Sequence, residues 1–234
     1  MARPMSTITN PTPATTRVQI PQTLRDSPVV AVLRAGHASE YAPVIEALVA
    51  GSVTNIELTL STRGVFELLP EICAQFQGRA QIGVGTVTTA EEARTAIASG
   101  AQFIVTPVTE PEIVQACVQA GIPVFPGGLT PTELHRGWQA GASAVKVFPA
   151  SQVGAGYVKD LRGPFPEIEV IPSGGVGVQD AIAWIKAGAV AVSVGGPLLG
   201  DAFKGGDLGA LTERATALAA AADQARVELG QAGK

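Results

Sequence analysis

A unit that recurs seven times is the feature of this sequence that most constrains its fold. Each unit has an apolar run, a polar or glycine-containing loop, a helical stretch and a closing glycine, and the closing glycines are 20 to 27 residues apart. Glycine is typical of the position after a helix, because the chain often turns left-handed there and a Cβ disfavours that turn. The closing glycines are Gly51, Gly78, Gly100, Gly121, Gly141, Gly163 and Gly188.

The repeat predicts eight strands that alternate with helices. Such alternation favours a parallel sheet covered by helices. At this length, closure into an eight-stranded (β/α)8 TIM barrel is the simplest arrangement. An open doubly wound sheet is the alternative, although the turn Arg34 to His37 lacks the dinucleotide fingerprint. The predicted strands span residues 28–34, 53–59, 80–85, 102–106, 122–125, 142–148, 168–172 and 189–194.

Helix starts agree with this periodicity. Three segments match the capping-box pattern, namely Thr89 to Glu92, Thr109 to Glu112 and Thr130 to Glu133. Pro131 suits the first helical position. We also expect a short helix within 20–26 and a final helix over 207–229.

Composition predicts a soluble globular protein with one large domain. The chain has 234 residues, of which 46% are hydrophobic and 15% charged. We assign residues 20–234 to a single barrel domain and residues 1–19 to a disordered tail. The stretch Met1 to Thr16 is rich in threonine and proline and lacks the apolar segment of a secretory signal.

Several classes of function are disfavoured by charge and residue usage. The net charge of −4 gives no basic surface for nucleic acid or for an anionic membrane. No apolar run is long enough to span a bilayer. Two isolated cysteines, Cys73 and Cys117, form no disulfide framework or zinc motif, which favours a reducing, cytoplasmic context. His37 and His135 complete no evident metal site, although a site of Asp and Glu alone stays open.

The predicted sixth strand carries a lysine among apolar residues. Alternation places four side chains on one face: Ala142, Ala144, Lys146 and Phe148. Burying an amine costs free energy unless its charge is paired or the amine becomes neutral. Lys146 is therefore either half of a structural ion pair or an amine nucleophile.

The carboxyl ends of barrel strands form the active-site face, and polar residues collect there. Glu57 is the only carboxylate in the carboxyl-terminal halves of the eight predicted strands, and Lys146 is the only lysine in these strands. These two could be a structural ion pair, and Arg34 could pair with Glu57. The polar residues at the strand ends are Arg34, Glu57, Thr59, Thr86, Thr106, Lys146 and Ser173.

Glycine pairs follow the last two predicted strands. They are Gly174-Gly175 and Gly195-Gly196. Glycines let backbone N–H groups approach an anion, and barrels often bind phosphate at these two loops. Tight turns are the alternative explanation. Pro197 supplies no N–H.

The chain from Pro28 to about Leu229 resembles the bacterial 2-keto-3-deoxy-6-phosphogluconate (KDPG) aldolase family, which includes phosphogalactonate and 4-hydroxy-2-oxoglutarate aldolases. The resemblance is carried by four segments in order at barrel spacing: Ile56-Glu-Leu-Thr-Leu60, Gly83-Val-Gly-Thr-Val87, Val145-Lys-Val-Phe-Pro149 and Pro172-Ser-Gly-Gly-Val176.

The resemblance implies a cytoplasmic class I aldolase of Entner–Doudoroff-type carbohydrate metabolism. It implies a (β/α)8 fold, a homotrimer, and no cofactor or metal. It makes Lys146 the Schiff-base lysine and Glu57 the general acid/base. It also implies that the substrates are a phosphorylated 2-keto sugar acid and pyruvate. Implied pyruvoyl-pocket residues are Thr86, Pro107 and Phe148, and implied phosphate-loop residues are Gly174, Gly175, Gly195 and Gly196.

Two departures from the family pattern matter. Some members have an arginine after the glutamate strand, where this chain has Ser61, so the carboxylate-binding role falls to Arg34. Ser173 stands where phosphogluconate-type members have threonine and phosphogalactonate-type members often have an apolar residue. A hydroxyl at 173 favours the gluconate-derived substrate, cleaved to pyruvate and glyceraldehyde 3-phosphate. The alternatives are the phosphogalactonate, a non-covalent epimerase or isomerase that uses Glu57 as base, and a non-catalytic phosphosugar-binding barrel.

Overall fold

The computed structural model describes residues 17–232 and confirms a parallel α/β fold. The disordered stretch predicted for Met1 to Thr16 lies outside the described residues. The strands are β1 (Val29–Leu33), β2 (Asn55–Thr59), β3 (Gln81–Gly85), β4 (Ile104–Val105), β5 (Val124–Phe125), β6 (Gly127–Gly128), β7 (Val145–Val147), β8 (Val170–Pro172) and β9 (Val192–Val194).

Helices follow the strands as the repeat predicts. They are α1 (Gln22–Asp26), α2 (Tyr41–Ala50), α3 (Val65–Gln75), α4 (Ala90–Ala98), α5 (Pro111–Gln119), α6 (Pro131–Gln139), α7 (Tyr157–Arg162), α8 (Val178–Lys186), α9 (Gly196–Leu199) and α10 (Leu208–Ala232). Single-turn 3-10 helices span Ala38–Glu40, Ala150–Gln152 and Ala202–Lys204.

Two parallel sheets adjoin at both of their ends. A curled six-stranded sheet has the order β5-β4-β3-β2-β1-β9, and a three-stranded sheet has the order β6-β7-β8. Pro126 separates β5 from β6, and its carbonyl accepts from Lys146 N at 2.8 Å. At the other end, Val190 N donates to Val170 O at 2.9 Å, and Ser173 and Ser193 form a parallel bridge.

Each of the eight predicted strand ranges contains an observed strand, but the strands from β4 onward have only two or three residues. The two-residue β6 was not predicted as a strand, because its sequence is Gly-Gly and glycine is depleted in strands.

Apolar side chains form two separate cores. The larger, outer core lies between strands and helices and includes Val145 and Val147 of β7. The smaller, inner core includes Phe103, Phe125 and Ala144. The strand alternation predicted around Lys146 is therefore confirmed for Ala144, which belongs to the inner core. It is wrong for Ala142, which precedes β7 and belongs to the outer core.

Two of the three predicted capping boxes form. Thr89 Oγ1 accepts from Glu92 N at 3.1 Å, and Thr130 Oγ1 accepts from Glu133 N at 3.4 Å. The prediction for Thr109 is wrong, since α5 begins one residue later, after Glu110. The Thr109 hydroxyl instead donates to the Gly127 carbonyl at 3.0 Å and links the α5 loop to β6.

Five of the seven closing glycines have the expected positive φ, but Gly51 and Gly163 do not, with φ of −89° and −52°. After α2 the left-handed residue is Ser52, with φ of 65°. Gly51 is needed for a different reason, because a Cβ there would lie 2.5 Å from the Ala215 Cβ of α10. It allows α10 to pack closely on the end of α2.

Candidate active site

A cavity of about 590 Å³ opens at the carboxyl ends of the strands. All eleven residues predicted for the site line it, although they come from seven different loops and strand ends. They are Arg34, Glu57, Thr86, Pro107, Lys146, Phe148, Ser173, Gly174, Gly175, Gly195 and Gly196.

Lys146 occupies the centre of β7 and points into the cavity. Its residue is 6% exposed, and its Nζ lies 5.0 Å from the centroid of the Phe148 ring. Its register partner on β6 is Gly127, where a Cβ would lie 2.5 Å from the Thr106 carbonyl oxygen. None of the ion pairs found among residues 17–232 involves Lys146. The amine therefore faces the cavity without a charged partner within 4.0 Å.

Glu57 is a buried carboxyl group on β2 that also lacks a direct partner. It is 1% exposed, and its Oε2 has no hydrogen-bond partner in the described part of the chain. Burial raises the pKa of Glu57, and the positive charges of Lys146 and Arg34 oppose that rise. Glu57 can thus retain a proton at a higher pH than an exposed glutamate, which suits an acid/base group.

The glycines of the Gly83-Val-Gly-Thr segment make room for two large side chains. A Cβ on Gly85 would overlap the Glu57 carboxyl group, and a Cβ on Gly83 would overlap the Phe103 ring. The first glycine therefore allows the inner core to pack, and the second allows Glu57 to reach the cavity. This segment is part of the active site although neither glycine carries a functional group.

Thr86 follows β3 with a φ of 61°, in the left-handed region. A β-branched residue in that region is strained, because its Cβ crowds the following carbonyl. Such outliers cluster at functional sites, where the surrounding structure holds them in place. The strain at Thr86 supports the site role expected for it.

Arg34 lies at the end of β1, and side-chain hydroxyls form hydrogen bonds with the backbone of the residues on either side of it. Ala35 N donates to Thr62 Oγ1 at 3.0 Å, and Thr59 Oγ1 donates to Leu33 O at 3.0 Å. The Tyr41 hydroxyl also donates to Leu33 O, at 3.4 Å. The alternative role of Arg34 as an ion-pair partner of Glu57 is not observed among the described salt bridges.

The loop after β8 offers backbone donors to an anion. Gly174 and Gly175 have φ of 86° and 72°, and a Cβ on Gly174 would lie 2.9 Å from the Phe148 ring. In the described part of the chain, no acceptor is found for the backbone N–H of Gly174, Gly175 or Val176. These N–H groups are free to bind a ligand, as the phosphate interpretation of this loop requires.

Some lining residues were missed by sequence reasoning. Ser193 could have been found from strand alternation, since Val192 and Val194 belong to the outer core and their neighbour must face inward. Phe203 and Lys204 gave no signal, because they follow β9 by nine residues or more, in a single-turn 3-10 helix that has no sequence periodicity. The lining residues outside the predicted set are Val32, Thr59, Val176, Ser193, Pro197, Leu199, Gly200, Phe203 and Lys204.

The described residues contain neither a metal-binding cluster nor a membrane-spanning helix. Between residues 17 and 232, no group of three or more His, Cys, Asp or Glu side chains is placed to hold a metal ion. No helix in that range has both the length and the apolar character needed to cross a membrane.

Known proteins match this chain over most of its length. The sequence model of the KDPG and KHG aldolase family matches residues 20–213. The 2-dehydro-3-deoxy-phosphogluconate aldolase of Dickeya dadantii is 36% identical over 202 residues, covering 85% of this chain and 92% of that protein. The 2-dehydro-3-deoxy-6-phosphogalactonate aldolase of Escherichia coli is 33% identical over 172 residues, covering 73% of this chain and 84% of that protein.

A solved structure of an aldolase also has the same fold as this chain. The KDPG aldolase of Legionella pneumophila, with pyruvate captured as a covalent carbinolamine intermediate, superimposes with a TM-score of 0.75 at 28% identity and covers 84% of this chain and 96% of that one. The family match over residues 20–213 and the shared fold lead to one conclusion, that this chain belongs to the KDPG and KHG aldolase family.

Proposed function

We propose that this protein is a class I aldolase that reversibly cleaves 2-keto-3-deoxy-6-phosphogluconate to pyruvate and glyceraldehyde 3-phosphate. The proposal depends on one observation: the Lys146 amine and the Glu57 carboxyl are both buried in one cavity, and they form no ion pair with each other. A structural ion pair would bring the two groups into contact, whereas covalent catalysis needs a gap between them for substrate. The raised pKa of Glu57 adds a group that can give and take protons.

In the first half of the reaction, the neutral Lys146 amine attacks the C2 carbonyl of the substrate. The resulting carbinolamine loses water and becomes an iminium ion, with Glu57 moving the required protons. Glu57 then removes the proton of the C4 hydroxyl. The C3–C4 bond breaks, its electrons pass to the iminium nitrogen, and glyceraldehyde 3-phosphate leaves.

In the second half, the enamine of pyruvate remains on Lys146. Glu57 returns a proton to C3, which regenerates the iminium. Water adds to C2, and collapse of the carbinolamine releases pyruvate and the free amine. Every proton that Glu57 takes up is thus returned, and no external oxidant or reductant is needed.

The remaining lining residues would position the substrate. Arg34 is suited to bind the carboxylate beside C2, because guanidinium can hold a carboxylate by two hydrogen bonds. Thr86, Pro107 and Phe148 would surround the pyruvoyl part and exclude water. The N–H groups of Gly174 and Gly175, with Gly195 and Gly196, would receive the phosphoryl group at the other end.

A second candidate substrate is the C4 epimer, 2-keto-3-deoxy-6-phosphogalactonate. It is favoured by the 33% identity to the Escherichia coli phosphogalactonate aldolase. The Ser173 hydroxyl, which lines the cavity, favours the gluconate form because it can bind the C4 hydroxyl. Comparing kcat/KM for the two epimers, in the wild type and in Ser173→Val, decides between them. Loss of the preference for the gluconate epimer in that variant is the expected result.

We further infer that the two sheets close into a single (β/α)8 barrel, which forms one domain over residues 20–234. The hydrogen bonds of Pro126 with Lys146 and of Val170 with Val190 support closure at the two junctions. By family resemblance, the enzyme is a cytoplasmic homotrimer, and sedimentation equilibrium tests its oligomeric state.

Borohydride trapping tests the covalent mechanism directly. Reduction in the presence of pyruvate is expected to add the three-carbon unit to Lys146, as mapped by mass spectrometry. Lys146→Met should lose both the adduct and turnover, while its circular dichroism stays that of the wild type. Lys159→Met, on α7 and outside the cavity, is the matched control and should retain both. An adduct at another lysine, or turnover by Lys146→Met, would refute the proposal.

A further inference from the structure

Lys204 is a cation at the mouth of the cavity that the mechanism above does not use. It ends the 3-10 helix Ala202–Lys204, between α9 and α10, and it is one of the residues that line the cavity. The residue is exposed, and none of the ion pairs found within residues 17–232 involves it. Its charge is therefore available to a ligand.

The segment that carries Lys204 is held in place at several points. Lys204 N and Gly206 N both donate to Asp201 O, at 2.7 and 3.0 Å. Phe203 packs edge-on against the buried Tyr41, with ring centroids 5.9 Å apart. This ring contact connects the segment to α2, so the backbone of Lys204 is fixed beside the cavity.

Two charged side chains of the cavity lie deep inside it, and one charged residue, Lys204, lies at its rim. Lys146 and Glu57 are almost fully buried, and the charge of Arg34 acts on Glu57. Lys204 is the further lining residue with a charged side chain. The loop after β9 also has Pro197 in place of a residue with a backbone N–H, which removes one donor on that side.

The substrate likewise has one charged group that lies deep in the cavity and one that lies near its mouth. Its carboxylate is bonded directly to C2, so covalent attachment to Lys146 keeps that group deep in the cavity. Its phosphoryl group is separated from C2 by four carbons and an ester oxygen, so it extends toward the mouth. The glycine loops offer this dianion only neutral N–H donors, and a cation at the mouth would strengthen its binding.

We propose that Lys204 binds the phosphoryl group and makes the enzyme selective for phosphorylated over unphosphorylated 2-keto-3-deoxy acids. This inference rests on the proposed aldolase function. Lys204 is a specificity-determining residue for the end of the substrate that does not react. Binding energy gained at that end positions C2 against Lys146.

The test compares wild type with Lys204→Met, Lys204→Arg and the distant charge control Lys159→Met. Cleavage of the phosphorylated and unphosphorylated sugar acids is measured at low and at high salt. For Lys204→Met, we expect the ratio of the two kcat/KM values to fall by about tenfold, the effect of losing one charged hydrogen bond. Lys204→Arg should recover most of the ratio, and Lys159→Met should keep the wild-type ratio.

Two further measurements separate the possible failures. Inorganic phosphate, used as a competitive inhibitor, should bind Lys204→Met about tenfold more weakly, and added salt should shrink this difference because the lysine is exposed. The pyruvate concentration for half-maximal borohydride trapping reports on the carboxylate end. An equal loss in pyruvate trapping and phosphate inhibition would assign Lys204 to the carboxylate and overturn the proposal, as would an unchanged selectivity ratio. Absence of any adduct in the wild type would instead overturn the aldolase function itself.

Discussion

Replacing Thr86 with glycine should raise stability and lower activity at the same time. Thr86 holds a φ of 61° at the cavity, and Ser52 holds a φ of 65° on an exposed turn after α2. Both residues carry a Cβ in the left-handed region, and only Thr86 lines the cavity. Thr86→Gly and Ser52→Gly therefore form a matched pair.

The magnitude follows from two opposing terms. Left-handed geometry costs a residue with a Cβ about 1–2 kcal/mol, and glycine relieves this cost. Glycine also increases the entropy of the unfolded chain, which offsets about 0.4–1 kcal/mol of the gain. The expected net change for either variant is a stabilisation of about 0.5–1 kcal/mol. In a chain of this length that raises Tm by about 1–4 °C.

Differential scanning fluorimetry and steady-state cleavage assays test the pair. Both variants should melt at or above the wild-type temperature. Only Thr86→Gly should lose activity, with kcat/KM down by about tenfold, because one side-chain contact with a charged substrate is lost. A Tm of Thr86→Gly several degrees below that of the wild type would show that Thr86 stores no strain. A loss of activity in Ser52→Gly would show that the effect is not local to the cavity.

Three other substitutions test the site. Gly85→Ala should lower kcat by at least about tenfold, since its Cβ would displace the Glu57 carboxyl group. Gly156→Ala, whose added Cβ has no atom within 4 Å, is the control and should behave as wild type. A normal kcat in Gly85→Ala would contradict the placement of Glu57. Glu57→Gln should become more stable relative to wild type as the pH rises above 4.5, the ordinary pKa of glutamate. The reason is that a carboxyl group with a raised pKa in the folded state makes the wild type lose stability as the pH rises. Chemical unfolding measures both pH–stability curves, and parallel curves would contradict a raised pKa of Glu57. Thr62→Val should destabilise the protein by about 1–3 kcal/mol, because Ala35 N loses its hydrogen-bond acceptor. Since Ala35 follows Arg34, the variant should also need a higher pyruvate concentration for half-maximal borohydride trapping. An unchanged concentration would show that this hydrogen bond does not position Arg34.

The positions of the strands and of the site could be predicted because they depend on local patterns. Apolar runs bounded by glycines located a strand in each of the eight predicted ranges. Because parallel strands present their carboxyl ends on one side, the strand order alone predicts that Arg34, Glu57 and Lys146 lie close together. Prediction of the site needed only the order of the strands, so errors of two or three residues in their bounds did no harm.

Features that depend on contacts between distant segments could not be predicted. The sequence around Gly51 gave no sign that α10 would pack against it, since Ala215 is far along the chain. The left-handed Thr86 was equally hidden, because threonine disfavours that geometry and only the surrounding structure imposes it. Lys204 could not be placed because its segment has no periodicity, and its position depends on the packing of Phe203 on Tyr41.

The separation of Lys146 from Glu57 is the strongest sign that the cavity is organised for a ligand rather than for stability. Leaving a buried carboxyl oxygen without a partner costs about 1–3 kcal/mol, and a lysine in the same cavity could remove that cost by forming an ion pair. The fold instead places Gly85 against Glu57, where a Cβ would overlap the carboxyl group. This glycine preserves space that a larger residue would fill. A protein under selection for stability alone would close this gap, and a substrate whose C2 and C4 must reach the two groups requires it to remain open.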